Sequence, residues 1–457
     1  MTVAEQIFRA YDIRGIVETD LTPATVRLIG HAFGTHAQQK NCTRVVIGRD
    51  GRLSSPELAR ELAAGLQAAG CDVIDIGLVA TPVLYFATHH LETGTGIMIT
   101  GSHNPPEYNG LKMMLGGNTL HGEQITALYH TIQNKTFTNG SGQSHAQSVT
   151  DAYIARIVQD ARIKRPLRFA IDCGNGATGE IAPALFKALG QKPVELFCDI
   201  DGTFPNHHPD PSKEKNLQDL RATVAEQNLE LGLAFDGDGD RLGVVDSNGT
   251  IIWPDRQMIL FARDILARQP NSRIIYDVKC SKHLKDAIQA SGGEAIMSRT
   301  GHSLIKAKMQ ETNAALAGEM SGHIFFKERW FGFDDGMYTA VRLLEILSQS
   351  TLSPAEIFAA LPNSVNTPEI NLNFAEGEHY RFIEKFQKTA RFADAEMITI
   401  DGVRAEFVDG WGLVRASNTT PCLVLRFEAN TNASLERIKN LFKAQIHAID
   451  SSLPLDF

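Results

Sequence analysis

The sequence predicts an α/β protein, three units of alternating strand and helix followed by a smaller α+β unit. Three observations carry this. Short apolar runs of strand length alternate with amphipathic helical stretches as far as about residue 362. Cap and turn residues stand at the joints between them. Beyond Pro362 the pattern changes to closely spaced strands with only two helices. Strand–helix–strand order implies parallel pairing with helices on both faces.

In the first unit, Thr22-Pro23 opens a helix whose apolar face is Val26, Ile29 and Phe33. Arg44–Asp50 reads as a strand, Ser55-Pro56 as the cap of a helix ending at Gly70, and Asp72–Ile76 as the next strand. Residues 136–147 carry no aliphatic residue beyond alanine and many turn formers, which places a boundary there. The second unit has a helix over Asp151–Ala161 and strands over Leu167–Asp172 and Leu231–Phe235. Leu242–Asp246 and Thr250–Ile252 flank Ser247-Asn248-Gly249, a hairpin signal. The third has a helix over Asp255–Arg268, a strand over Arg273–Val278, a helix over Ser281–Ser291 and a strand over Glu294–Met297. Units of similar size suggest duplication, without a strict sequence period. Pro362–Pro368 reads as a linker. After it come a strand, a helix over Glu376–Phe392, strands near Met397–Ile400, Arg404–Val408, Gly412–Arg415 and Leu423–Ala429, and a closing helix from about Ser434.

Two stretches carry chemistry. Ser102 follows the apolar run Ile97-Met98-Ile99, and Asn104-Pro105-Pro106 after it forbids a helix. Asn109-Gly110 reads as a tight turn. A serine on a stiff loop at a strand end, with His103 and Lys112 as acid–base or cationic neighbours, suits a nucleophile or a phosphate carrier. The second stretch is Asp236-Gly237-Asp238-Gly239-Asp240-Arg241, after the Leu231–Phe235 strand. Three carboxylates at alternate positions can turn toward one centre and select a hard cation. A calcium loop of the EF-hand kind needs glycine at its sixth position and glutamate at its twelfth, where Arg241 and Ser247 stand. Gly174-Asn175-Gly176-Ala177-Thr178-Gly179 is a weak match to a dinucleotide fingerprint, since Asp199 and Asp201 lie near the required spacing but inside a Pro/Gly-rich loop.

These motifs, with Gly318-Glu319-Met320-Ser321-Gly322-His323, Arg415-Ala416-Ser417-Asn418-Thr419-Thr420 and the opening Phe8-Arg9-Ala10-Tyr11-Asp12-Ile13-Arg14-Gly15, resemble the α-D-phosphohexomutase superfamily, most closely its phosphomannomutase/phosphoglucomutase branch. The strings occur in the family's order and span almost the whole chain. The resemblance implies that the three βαβ-type mixed-sheet units surround a central cleft together with the α+β unit. It divides the chain into a phosphoserine domain (1–147), a metal-binding domain (148–250), a sugar-recognition domain (251–362) and a C-terminal phosphate-binding domain (363–457). It implies an isomerase-class mutase that interconverts hexose 1- and 6-phosphates through phosphoserine at Ser102 and a 1,6-bisphosphate, serving carbohydrate metabolism or nucleotide-sugar biosynthesis. The implied cofactors are one Mg²⁺ on Ser102, Asp236, Asp238 and Asp240, and glucose or mannose 1,6-bisphosphate as activator. Tyr11, Arg14, Arg241, Lys279, Glu319, Ser321, His323, Arg415, Ser417, Asn418 and Thr419 are the implied substrate contacts, with Glu319 and Ser321 on sugar hydroxyls. His103, Lys112, His302 and His323 are the candidate acid–base groups. Phosphoglucosamine mutase and phosphoacetylglucosamine mutase are the rivals within the family, and the phosphoglucosamine branch usually has glutamine where Met320 stands. A non-catalytic sugar-phosphate binding protein is the rival outside it.

Composition agrees. The 457 residues are 43% hydrophobic and 21% charged, an ordinary globular balance. A net charge of −9 argues against nucleic acid or an acidic membrane as partner, while local cations can still attract an anionic sugar phosphate. Six scattered cysteines predict reduced, mostly buried thiols in a cytoplasmic protein. No apolar run has membrane-spanning length and the N-terminus lacks a signal core. A monomer is the expectation.

Overall fold

The computed structural model describes residues 3–375, 377–418, 420–455 and 457. The first helix is Pro23–Gln39; Thr22 caps it by accepting from the Thr25 amide, and Val26, Ile29 and Phe33 are fully buried. The chain then builds four sheets. The first runs in the order Ile13–Ile16, Tyr108–Leu115, Gly96–Ile99, Arg44–Arg49, Asp72–Leu78, Ser144–Ala146, with Asn118–Thr119 beside Tyr108–Leu115. The second runs Leu242–Asp246, Leu231–Phe235, Phe169–Asp172, Val194–Leu196, and the third Glu294–Ser298, Arg273–Asp277, Leu316–Gly318, Ile324–Phe326. The fourth runs Val365–Asn366, Cys422–Ala429, Gly410–Ala416, Val403–Phe407, Glu396–Ile398, with Ile370–Asn373 also on Cys422–Ala429.

The first three sheets share one device. Gly96–Ile99 pairs parallel with Arg44–Arg49 and antiparallel with Tyr108–Leu115. Leu231–Phe235 is placed the same way between Phe169–Asp172 and Leu242–Asp246, and Leu316–Gly318 between Arg273–Asp277 and Ile324–Phe326. The loop leaving each of these strands therefore emerges at the same topological point, where the sheet changes from parallel to antiparallel. Those loops hold Ser102, the three aspartates and Glu319. The fourth sheet is antiparallel throughout, and its Gly410–Ala416 to Cys422–Ala429 connection carries Ser417 and Asn418. Trp411 and Leu413 pack on Val278 and so join the fourth unit to the third.

The structure departs from the sequence reading at several joints. Asn109 and Gly110 make no tight turn; they lie inside Tyr108–Leu115, opposite Gly15 and Arg14. Glycine is needed there because a Cβ on Gly110 would meet the Ile13 carbonyl at 2.5 Å. Ser55 is the first residue of the helix Ser55–Ala68 rather than its cap, and its hydroxyl donates to Asp50 Oδ1 at 2.6 Å. The polar stretch 136–147 ends in Ser144–Ala146, an exposed edge strand whose ladder needs backbone groups only. Pro362–Pro368 likewise contributes Val365–Asn366 to the fourth sheet. The helix expected over Glu376–Phe392 is Glu378–Thr389; Glu376 itself lies outside the described residues. The cysteines are all free; four are buried, and Cys42 and Cys198 are half-buried. Among the described residues no helix is long and apolar enough to cross a membrane.

Candidate active site

Gly96–Ile99 is buried throughout, so the chain must leave the sheet abruptly, and it does so through Thr100 and Gly101. Ser102 adopts a left-handed φ of 50°, unusual for a side chain with a Cβ. Its amide donates to Thr100 Oγ1 at 2.8 Å, and its Oγ lies 3.1 Å from His103 Nδ1 and 3.3 Å from Asp236 Oδ2. His103 is held well below the ordinary imidazole range, by burial first and then by the Arg241 guanidinium. Arg241 Nη2 also contacts His103 Nδ1.

Leu231–Phe235, buried on both faces, delivers Asp236, Asp238 and Asp240 to one point; each is fully buried. One oxygen from each lies within 4.8 Å of the others. Burial first, then the neighbouring Asp240 carboxylate, pushes Asp236 up to about 8. Burial pushes Asp238 and Asp240 the same way, but Lys112, helped by Thr81 at Asp238 and by His323 and Arg241 at Asp240, holds both below the usual carboxylate range. Lys112 Nζ is 2.6 Å from Asp238 Oδ2 and also donates to Asp240; Thr81 Oγ1 donates to Asp238 at 2.6 Å. Arg241 Nε donates to Asp236 Oδ2 at 2.8 Å, and Nη1 reaches Asp210 at 3.5 Å. Among the described residues, Asp238 Oδ1 and Asp240 Oδ1 are buried without a hydrogen-bond partner. Spare buried oxygens on converging carboxylates fit a hard divalent cation.

The glycine-rich loop 174–179 supports this loop from behind. Ala177 donates its amide to the Gly237 carbonyl at 2.9 Å, and a Cβ on Gly176 would approach that oxygen to 2.8 Å. It is thus a packed buttress, not an open cradle for a dinucleotide.

The third loop places Glu319, 2% exposed, where the Gly301 amide donates to its Oε1 at 2.6 Å. Burial, opposed by His323, pushes Glu319 up to about 7. His323 Nδ1 is 3.0 Å from Asp334 Oδ2 and 3.6 Å from Asp240 Oδ1. Burial disfavours its charge, but these carboxylates outweigh it and raise the imidazole above its ordinary value. His302 goes the other way, well below, because it is buried and Lys306 Nζ stands 3.2 Å away. The two imidazoles stack at 5.6 Å, and Tyr11 meets His302 edge-on at 5.4 Å. Lys279 Nζ donates to Glu369 at 2.7 Å. From the fourth unit, Arg415 Nε donates to Asp401 Oδ2 at 3.0 Å, while its Nη2 is buried without a hydrogen-bond partner among the described residues. Ser417 Oγ lies 3.0 Å from Thr420 Oγ1.

One cleft of about 780 Å³, lined from all four units, gathers the loops that carry these groups. Every candidate named from the sequence lines it except the three aspartates, which form the floor behind Ser102, and Thr419, which lies outside the described residues. The sequence reading missed Asp334, which is fully buried and accepts from Lys306 Nζ at 2.8 Å beside both histidines. It also missed Asp210, Lys306 and Arg52. The local hint for Asp334 is slight: Asp334-Asp335 is an acidic pair directly after the aromatic stretch Trp330–Phe333.

Comparison with known proteins agrees with this geometry. Residues 5–139, 151–249 and 253–365 match the phosphoglucomutase/phosphomannomutase alpha/beta/alpha domains I, II and III, and residues 369–445 match the C-terminal domain of that family. A phosphomannomutase/phosphoglucomutase of Pseudomonas aeruginosa is 52% identical over 456 residues, covering 100% of this chain and 98% of the relative. A phosphoglucomutase of Neisseria meningitidis is 54% identical over 450 residues, covering 98% of each. A crystal structure of a phosphoglucomutase/phosphomannomutase family protein from Burkholderia thailandensis superposes with a TM-score of 0.95 at 50% identity, covering 100% of both chains. With four family domains matched in order and a shared cleft, the chain belongs to the phosphoglucomutase/phosphomannomutase family of phosphohexomutases, isomerase-class enzymes of hexose phosphates.

Proposed function

We propose that the chain acts on both glucose and mannose phosphates, with Ser102 carrying the phosphoryl group and a hexose 1,6-bisphosphate as intermediate and activator. The observation that carries this reading is the position of Ser102 Oγ, 3.3 Å from Asp236 at the wall of a cleft that also presents Arg415. Asp236, Asp238, Asp240 and Ser102 Oγ would hold Mg²⁺, which when bound offsets the roughly two negative charges of a phosphoserine. Arg241, fixed by Asp236 and Asp210, adds a permanent charge beside the same oxygen.

In the forward half-reaction a sugar hydroxyl attacks the phosphorus on Ser102, the bond to Oγ breaks, and the hydroxyl proton leaves. His302, held neutral by burial and Lys306, is suited to take that proton. His323 and Lys112, held charged by carboxylates, are suited to give one back in the reverse sense. Glu319 and Ser321 take the 3- and 4-hydroxyls, which glucose and mannose share. Arg415, Ser417, Asn418 and Thr419 hold the phosphate that is not reacting, with Tyr11, Arg14 and Lys279 beside it. After the bisphosphate turns, its other phosphate returns to Ser102. Closure of the C-terminal unit over the cleft would exclude water from the phosphoenzyme.

The test is turnover on mannose 1-phosphate, glucose 1-phosphate and glucosamine 1-phosphate, with the intact mass of the purified protein. Comparable rates on the first two, little on the third, and one phosphate that is lost in Ser102→Ala support the reading. A preference for glucosamine 1-phosphate, or an unmodified and inactive chain, refutes it. Met320→Gln should raise the relative rate on glucosamine 1-phosphate if the sugar loop sets the preference.

A further inference from the structure

Arg52 lies outside the cleft lining and is 1% exposed, yet its guanidinium is bound almost entirely to the serine loop. Nη2 donates to the carbonyls of Ser102 at 2.9 Å and Asn104 at 2.6 Å. Nη1 donates to those of Pro105 at 2.6 Å and Tyr108 at 3.0 Å. Nε is 3.2 Å from Asp50 Oδ2, the same oxygen that accepts the Gly101 amide at 3.1 Å. The group sits directly against Gly101, where a Cβ would come within 2.4 Å of Cζ. The ring of Phe204, from the unit that carries the aspartate loop, centres 5.1 Å from Cζ.

A loop with two consecutive prolines has few amides to pair with its own carbonyls, and buried carbonyls must find donors. A planar fork with five N–H groups can serve four of them at once; an ammonium cannot span them. Ser102 meanwhile holds a left-handed φ of 50°, which disfavours a residue with a Cβ and persists only when its surroundings over-determine it. We propose that Arg52 is a positioning residue for phosphoryl transfer. It clamps four carbonyls from Ser102 to Tyr108 and so fixes Oγ against Asp236, and its contact with Phe204 ties that position to the metal-binding unit. This rests on the reading that Ser102 carries the phosphoryl group.

The experiment compares Arg52→Lys, Phe204→Leu and Ser102→Ala, each with Mg²⁺ and glucose 1,6-bisphosphate, by steady-state kinetics, thermal melting and ³¹P NMR of the phosphoenzyme. Displacing a reacting group by about 1 Å can lower a rate about 100-fold. Arg52→Lys is therefore expected to lose about 100-fold in kcat with KM for glucose 1-phosphate within about twofold of the parent, because the substrate contacts are untouched. Its phosphoserine resonance should shift or broaden, and Phe204→Leu should show a smaller loss of the same kind. A folded Arg52→Lys with kcat within about threefold of the parent overturns the proposal. So does one whose KM rises as much as its kcat falls, or one that fails to fold while Phe204→Leu keeps full activity. Activity surviving in Ser102→Ala would instead overturn the phosphoserine reading, whatever Arg52 does.

Discussion

Replacing Arg415 by alanine removes the best-placed cation of the fourth unit. Arg415 is 4% exposed and lines the cleft, spends Nε on Asp401 and, among the described residues, leaves Nη2 without a hydrogen-bond partner. A hydrogen bond to a charged group is worth about 1.5–3 kcal/mol. Loss of one net bond to a phosphate is then about a 10- to 100-fold loss of affinity, at about 1.4 kcal/mol per tenfold. Asp401 keeps a donor, the Thr300 amide at 2.9 Å, so its own desolvation penalty should add little. If the clip holds ground and transition states alike, KM rises by that factor and kcat falls less. The same clip must retain the bisphosphate while it turns, so free hexose 1,6-bisphosphate should accumulate. The assay is a coupled measurement of glucose 6-phosphate formation together with quantitation of released bisphosphate. An unchanged KM with no bisphosphate released would refute the argument and move the phosphate clip away from the C-terminal unit.

Three further outcomes are expected. Ser102→Ala should lose nearly all mutase activity and melt close to the parent, since a loop hydroxyl contributes little packing; more than about a tenth of the parent rate would count against it. Asp238→Asn should raise the Mg²⁺ concentration needed for half-maximal activity more than it raises KM, because an amide is a poorer ligand for a hard cation; indifference of the parent to EDTA would refute the metal assignment. His207 is the pH test. Burial lowers its pKa, but Asp172 at 2.9 Å outweighs that and raises it above the ordinary value. A raised folded value means the His207–Asp172 pair stabilises fully below the unfolded pKa of about 6.5, and that stability is lost as pH rises through the folded value. Urea melts should therefore show His207→Gln less stable than the parent at about pH 6, with the gap narrowing by about pH 8.5; a gap that widens with pH would contradict the pairing.

Much of the first architecture is legible in local chemistry. Thr22-Pro23 before Val26, Ile29 and Phe33 specifies its helix because the cap and the apolar repeat act within a few residues. The runs 97–99 and 231–235 read as buried strands for the same reason, and the serine and aspartate loops follow directly from them. Asn109-Gly110 misleads because its local turn preference loses to antiparallel pairing with Arg14 and Gly15, nearly a hundred residues earlier in the chain. The helix Gly336–Gln349 carries a regular apolar repeat, but its burial reaches Arg342 and Glu345 as well, because Asp264, Glu328 and Arg329 from other segments pair with them.

The reactive groups and the strands that carry them can be read from the chain alone, since a carboxylate or a hydroxyl keeps its chemistry wherever it is placed. What each group is worth depends on the folded molecule. Asp334 becomes the partner of Lys306 and both histidines, and Arg52 the clamp of the serine loop, through contacts between distant segments that no local pattern encodes. Burial then sets the charges: Asp236 is pushed up while Asp238, identical in sequence terms, is held down by a lysine 126 residues away. Desolvation and the sign of the nearest neighbour fix a pKa, and both are properties of the folded chain.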